Sequence, residues 1–236
     1  MRTTETLFER YFPQMKAIAD SIDEFHVAYI DKKEINREDW NRYFIFHKTE
    51  MPYTFLKRSI YATVIRWQLS LNSICRQLKD IEVDLVYTLS GLWLQAVAYK
   101  LSKKKHIPYV VRLQGDHREF RKALYGKGLR YETIARLFNY LETRSLKNAD
   151  LIIPISIALR QKAYEWGISK EKISDPIPNG IDTSLFKPMK VEKPEGYDLI
   201  VGYAGRISLE KRINKIIDIA KDLPNILFLM AGIWQM

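Results

Sequence analysis

Residues 83–115 read VDLVYTLSGLWLQAVAYKLSKKKHIPYVVRLQG, and this stretch decides the fold. The apolar run from Leu85 to Leu89 predicts a short strand, and Gly91 opens a predicted helix that continues to about Ser102. Pro108 to Leu113 predicts a second strand. Strands that are apolar throughout and alternate with helices are typical of a parallel sheet that is covered on both faces.

The same alternation extends in both directions from this stretch. We predict a helix at 13–22 that starts at Pro13, strands at 25–30 and 43–47, a helix at 55–78, a helix at 129–146, a strand at 150–155, and a helix from its cap Ser156 to Gly167. This order predicts a Rossmann-like α/β domain with a parallel sheet and helices on both faces.

Changes in composition predict the domain boundaries. A Rossmann-like domain spans 1–188, 189–198 is a polar linker, and 199–236 is a second, smaller α/β unit. The second unit has strands at 199–204 and 226–231 and a helix at 213–223. So small a unit cannot bury its apolar face alone. We therefore expect Ile213, Ile217 and Leu229 to be partly exposed. The unit would need a covering partner, which could be the rest of a split enzyme, another copy of this chain or the back of its own first domain.

The composition excludes several protein classes. Hydrophobic residues make up 47% and charged residues 28% of the 236 residues, which argues against a disordered chain. A single cysteine excludes a disulfide framework, and with four scattered histidines we expect no metal site and no cofactor. No apolar run reaches the ~18 residues of a membrane span. We therefore expect a cytoplasmic protein, at the cytoplasmic membrane surface if it binds lipid.

Positive charge is concentrated in one segment. The whole chain has a formal charge of +10, and Lys100–Arg136 contains eleven Lys or Arg against three Asp or Glu. Such a segment could contact a membrane or an anionic acceptor, or it could be an ordinary solvated helix face. The candidate contacts are Lys103, Lys104, Lys105, Arg118, Arg121 and Lys122. Nucleic acid is not an expected partner because no nucleic-acid-binding pattern is present.

The stretch 201–211, VGYAGRISLEK, is the best candidate for chemistry. A strand ends at Gly205, Arg206 follows, and Lys211 precedes a helix. Ligands of α/β sheets bind beyond the carboxyl ends of strands, where a helix N-terminus, an arginine and a lysine attract phosphate. An ordinary turn with two surface cations is the alternative.

Five segments in order resemble the group 1 glycosyltransferases of GT-B fold. They are Val83–Val86, Ile107–Val110, Asn148–Ser156, the PNGID loop 178–182 with Phe186 and Pro188, and Gly205-Arg206 with Lys211. The resemblance covers residues 83–232. It implies that 1–188 is an acceptor-side domain that lacks its first strand and that 199–236 is a truncated donor-side unit. It implies a retaining, nucleotide-sugar-dependent glycosyltransferase that needs no catalytic metal and acts on a glycan or a lipid-linked acceptor.

The resemblance also implies roles for individual residues. Gly205, Arg206 and Lys211 would contact the donor diphosphate. Asn179, Gly180 and Asp182 would form the interdomain loop, where a turn and a cap are the favoured roles.

The chain departs from the family pattern in two respects. The family places a histidine where this chain has Gln114, so His117 with Asp116 either occupies a related catalytic position or lies at the surface. No glycine-rich loop precedes residue 13, and no Glu-x7-Glu segment follows Lys211. We therefore expect this chain to be incomplete as an enzyme by itself. The alternative is a non-catalytic, membrane-associated subunit or inactive remnant that needs a partner chain for the donor site.

Overall fold

The computed structural model describes residues 4–30, 35, 37–49, 60–89, 91–118, 129–190, 192, 194–208 and 211–232. The chain forms two compact units, Met1–Ile181 and Asp182–Met236. The division lies within the predicted interdomain loop. The assignment of the units to acceptor and donor remains a prediction, as does the truncation of the second.

Helices and strands alternate along the first unit. They are α1 (Thr4–Ala19), β1 (His26–Ile30), α2 (Glu38–Asn41), β2 (Ile45–Thr49), α3 (Ile60–Gln77), β3 (Val86–Leu89), α4 (Leu92–Lys105), β4 (Tyr109–Leu113), α5 (Leu129–Lys147), β5 (Leu151–Pro154) and α6 (Ile157–Glu165). A short 3-10 turn follows at Lys170–Lys172.

The central sheet of the first unit has the order β3-β4-β5, with parallel pairing throughout. All five residues of the middle strand β4 are buried. Tyr109, Val111 and Leu113 share a core with Ile152 of β5 and with α5 and α6. The predicted α/β fold is therefore confirmed, because apolar strands lie inside a layer of helices.

A separate two-stranded parallel sheet, β1-β2, precedes the central sheet. Its core is aromatic and comprises Tyr29, Ile35, Trp40 and Phe44. Phe12 of α1 stacks on Trp40, with 5.6 Å between the ring centroids.

The predicted start of the first helix at Pro13 is wrong. Helix α1 begins at Thr4 and contains Pro13 in its interior. Pro13 removes one backbone hydrogen bond, but Phe12, directly before it, is packed against three aromatic rings. This packing offsets the local cost of the proline.

The second unit contains β6 (Leu199–Ala204), α7 (Ile213–Asp222) and β7 (Ile226–Ala231), with β6 parallel to β7. Ile217 and Leu229 are 47% and 49% exposed, as predicted. Ile213 is 6% exposed, so the expected exposure of this residue is wrong. Ile213 is the first residue of α7 and the only buried residue of that helix.

Two absences hold for the described part of the chain. None of its helices is long and apolar enough to cross a membrane. It contains no group of three or more His, Cys, Asp or Glu side chains that could hold a metal ion.

Candidate functional site

The carboxyl ends of the central strands carry most of the predicted site residues of the first unit. Because β3, β4 and β5 are parallel, the loops that leave them share one edge of the sheet. The loop after β4 contains Asp116 and His117. The segment Ser174–Ile181 joins the same edge, since the Ile177 amide donates to the Pro154 carbonyl at 2.9 Å.

Asp116 lies at the end of the loop after β4 and His117 begins the helical turn that follows, and this segment is held at both ends. The Tyr11 hydroxyl donates to Gln114 Oε1 at 3.0 Å. Asp116 Oδ1 accepts a hydrogen bond from the Arg118 amide at 2.9 Å. Both Asp116 and His117 are partly exposed, which leaves them open to a ligand from this edge.

Arg118 is enclosed by its own unit. Its side chain is 17% exposed, and its guanidinium lies 4.1 Å from the centroid of the Trp166 ring. The same group donates to Thr143 Oγ1 at 2.6 Å and lies 3.9 Å from the buried Glu142 carboxylate. The sequence analysis grouped Arg118 with cations expected at the surface. These contacts show instead that Arg118 fixes the segment after β4 against Trp166, Thr143 and Glu142.

The remaining basic candidates differ in their surroundings. Lys103 and Lys104 are exposed in the last turn of α4. The Lys105 ammonium donates to the carbonyls of Lys79 and Ile81, at 2.7 and 2.8 Å. Arg121 and Lys122 lie outside the described residues.

Arg112 is a residue at this edge that sequence reasoning missed. Its side chain, on β4, is 7% exposed and donates to the carbonyls of Ile177 and Pro178 and to Asn179 Oδ1, at 3.1–3.3 Å. Burial raises the pKa of Tyr87, and the positive charge and hydrogen bond of Arg112 oppose this shift. The signal in the sequence was a single arginine within the apolar strand PYVVRL.

The predicted interdomain loop contains two different arrangements. Asn179 belongs to the Arg112 contacts and also accepts from Gln14 Nε2 at 3.5 Å. Asp182 Oδ1 instead accepts from the hydroxyl of Ser184 and from the amides of Ser184 and Leu185. These hydrogen bonds, the hydroxyl first, lower the pKa of Asp182. Gly180 lies between the two and is exposed.

In the second unit, Gly205, Arg206 and Lys211 lie between β6 and α7. The Arg206 carbonyl accepts from the Tyr203 hydroxyl at 2.7 Å, and the Lys211 amide donates to the Ser208 carbonyl at 3.1 Å. A Cβ on Gly205 would lie 2.7 Å from the Tyr203 hydroxyl oxygen, so a larger residue does not fit without a shift of that ring. The Ser208 hydroxyl is buried and has no partner among the described residues, which adds a donor that the motif did not indicate.

A cavity of about 160 Å³ lies away from these residues, between the β1-β2 sheet and β3. His26 and His47 line it, with 2.8 Å between His26 Nδ1 and His47 Nε2 and nearly parallel rings. His26 Nε2 lies 3.0 Å from Glu24 Oε2. Burial and the neighbouring His26 lower the pKa of His47.

Comparison with solved structures gives the fold. Alr3699/HepE from Anabaena, in complex with UDP and glucose, aligns with 14% identity and a TM-score of 0.59, covering 95% of this chain and 58% of that chain. The lipopolysaccharide outer core galactosyltransferase WaaB, in its apo form, aligns with 14% identity and a TM-score of 0.54, covering 96% of this chain and 66% of that chain. UGT89C1 from Arabidopsis thaliana, complexed with UDP-L-rhamnose, aligns with 13% identity and a TM-score of 0.50, covering 95% and 66%.

These alignments span the present chain almost entirely but less than two thirds of each solved protein. No curated protein matches the sequence. The model of the family described as Glycosyltransferase Family 4 matches residues 27–185, which is more than half of the chain. The chain therefore belongs to this family of GT-B glycosyltransferases.

Proposed function

We propose that this chain transfers a sugar, with retention of anomeric configuration, from a nucleotide-diphosphate sugar to a glycan or lipid-linked acceptor. The observation that carries the proposal is the loop between β6 and α7, which brings Gly205, Arg206 and Lys211 to the carboxyl end of a strand. The presence of UDP in the HepE structure and of UDP-L-rhamnose in the UGT89C1 structure supports a nucleotide-sugar donor.

The loop suits a diphosphate for electrostatic reasons. The planar guanidinium of Arg206 matches two phosphate oxygens at once, and the exposed Lys211 adds a point charge. Both charges stabilise the diphosphate as it leaves with developing negative charge. Gly205 allows the close approach of the ligand to the backbone.

The first unit would supply the acceptor side of the reaction. His117 and Asp116 are the proposed catalytic residues, because they lie in the loop that leaves the middle strand. The second unit would supply the donor side. No metal or cofactor is part of this proposal.

Incubation of the full chain with a panel of radiolabelled nucleotide sugars and lipid-linked or glycan acceptors tests the proposal. We expect release of nucleoside diphosphate together with a product of unchanged anomeric configuration, determined by NMR. His117→Ala and Asp116→Asn should each reduce the rate about a hundredfold or more. His106→Asn, at an exposed histidine outside the site, is the control. Transfer that is unaffected by both site variants would reject the assigned catalytic residues.

A second candidate function is that of a non-catalytic subunit at the cytoplasmic membrane surface. The exposed ammonium groups of Lys103 and Lys104 at the end of α4 favour it. Sedimentation with vesicles containing anionic lipid tests it. Binding should decrease as salt rises and in the Lys103→Ala/Lys104→Ala variant, but not in Lys187→Ala/Lys190→Ala. Failure to sediment even at low salt would reject it.

A further inference from the structure

We propose that Arg112 is a positioning residue that anchors the segment 177–179 to the central sheet. Asn179 is then the last residue that is held to the sheet before the chain passes to the second unit. This inference deepens the proposed function, on which its catalytic consequence rests. The anchoring itself rests on the contacts of Arg112 alone.

The burial of Arg112 shows why its contacts matter. The guanidinium keeps its charge at all accessible pH values, and a buried charge is costly unless it is matched by good acceptors. None of the carboxylates described in the structure forms a salt bridge with Arg112. Its Nη2 instead donates to the Ile177 carbonyl, the Pro178 carbonyl and Asn179 Oδ1, at 3.1–3.3 Å.

The three acceptors belong to consecutive residues, so one side chain holds the whole segment 177–179 against the sheet. If segment 177–179 moved away from the sheet, the buried guanidinium would lose these three acceptors at once, and its Nε has no hydrogen-bond partner among the residues that the structure describes. Hydrogen bonds from a charged donor are stronger than neutral ones. The segment is therefore held by more than its two backbone bonds, from Ser174 to the Ile152 carbonyl and from Ile177 to the Pro154 carbonyl.

The hydrogen bonds to Arg112 end at Asn179. Residues 177–190 are all exposed, so exposure alone does not distinguish the anchored residues from those that follow. Asp182 forms hydrogen bonds only within its own turn among the contacts described. The anchored part of the connection thus ends at Asn179, and the division between the units follows at Ile181 and Asp182.

Hydrogen exchange of the full chain, followed by NMR, tests the anchoring. The informative amides are those of Ser174 and Ile177, because both donate to β5 carbonyls. In Arg112→Met, which keeps the length and removes the charge, these amides should exchange about tenfold faster or more, while the β4 amides remain protected. Arg112→Lys should give an intermediate rate, since it keeps the positive charge but places it on a shorter side chain. Arg144→Met is the control, because it removes one exposed positive charge from α5.

An unchanged exchange rate at Ile177 in folded Arg112→Met would overturn the anchoring. If that variant does not fold, Asn179→Ala removes one acceptor at an exposed position. It should raise the Ile177 rate a few fold, and no change would again overturn the proposal.

The catalytic consequence has a separate readout. In the sugar-transfer assay, Arg112→Met should lower kcat at least about tenfold and leave the Kd for nucleoside diphosphate unchanged, with partial recovery in Arg112→Lys. An unchanged kcat would reject the positioning role. If the wild-type chain transfers no sugar, the proposed function fails, and the exchange rates alone decide the anchoring.

Discussion

At the residue scale, the contact between His26 and His47 makes the first unit sensitive to acid. The 2.8 Å between His26 Nδ1 and His47 Nε2 requires one nitrogen to donate and the other to accept, so protons on both of these nitrogens would break the hydrogen bond. Burial, followed by the proximity of His26, holds the pKa of His47 below its ordinary value. Glu24, next to His26, is the carboxylate on the outer side of the pair.

We expect the free energy of unfolding to decrease as the pH falls below about 6.5, the ordinary pKa of histidine in an unfolded chain. The reason is that the unfolded chain binds a proton at this pH while folded His47 does not, so protonation favours unfolding. The contribution of His47 to the free energy of unfolding is fully present above this pH. Urea midpoints between pH 8 and pH 5 measure the effect. His47→Asn should reduce the slope, and a slope equal to that of the wild type would contradict this account. His106→Asn, at an exposed position, should leave the slope unchanged.

Arg118 and Glu142 allow a matched comparison with an exposed pair on α5. Both the Arg118–Glu142 pair and the Arg136–Glu132 pair have a nitrogen–oxygen distance of 3.9 Å, but Glu142 is 2% exposed and Glu132 is 61% exposed. Arg118→Met should lower the free energy of unfolding by about 3 kcal/mol. It leaves the buried Glu142 carboxylate without its arginine and removes the cation–π contact with Trp166. Arg136→Met should lower the free energy of unfolding by less than about 1 kcal/mol.

Urea denaturation of the two variants measures this difference. Adding Glu142→Gln to Arg118→Met should restore at least about 1 kcal/mol, since the remaining side chain is neutral. Equal costs for the two arginine substitutions would show that the burial of Glu142 does not matter.

At the element scale, the strands were predictable and the first helix was not. The predicted strand at 108–113 and the predicted helix at 129–146 match β4 and α5 closely, because apolar runs and helical periodicity reflect burial directly. Pro13 is a local signal for a helix start, but the stacking of Phe12 on Trp40 is a contact between residues far apart in sequence. The contacts formed by Arg112 and Arg118 were missed for the same reason, since both depend on partners from other elements.

Helix α6 depends on its predicted cap. Ser156 Oγ accepts a hydrogen bond from the Leu159 amide at 3.2 Å, and the helix buries Leu159 and Ala163. Ser156→Ala should lower the free energy of unfolding by about 1 kcal/mol, whereas Ser156→Asp should retain most of it, because aspartate also caps helices. Thermal and urea unfolding measure both. Equal losses in the two variants would mean that the hydroxyl does not act as a cap.

At the scale of the whole molecule, the chain combines a well-packed first unit with a small second unit. In its described residues the second unit has one α-helix and two strands, with large apolar side chains such as Leu199 and Ile219 more than half exposed. The sequence predicted this arrangement from the number of elements after residue 198.

The central claim is that the loop between β6 and α7 binds the donor diphosphate. Isothermal titration of the full chain with UDP and with GDP tests it most directly. We predict that one of them binds, that Arg206→Ala and Lys211→Ala each weaken binding at least about tenfold, and that Lys215→Ala, at an exposed lysine of α7, does not. An affinity in Arg206→Ala equal to that of the wild type, or no binding of either nucleotide by the wild-type chain, would contradict the claim.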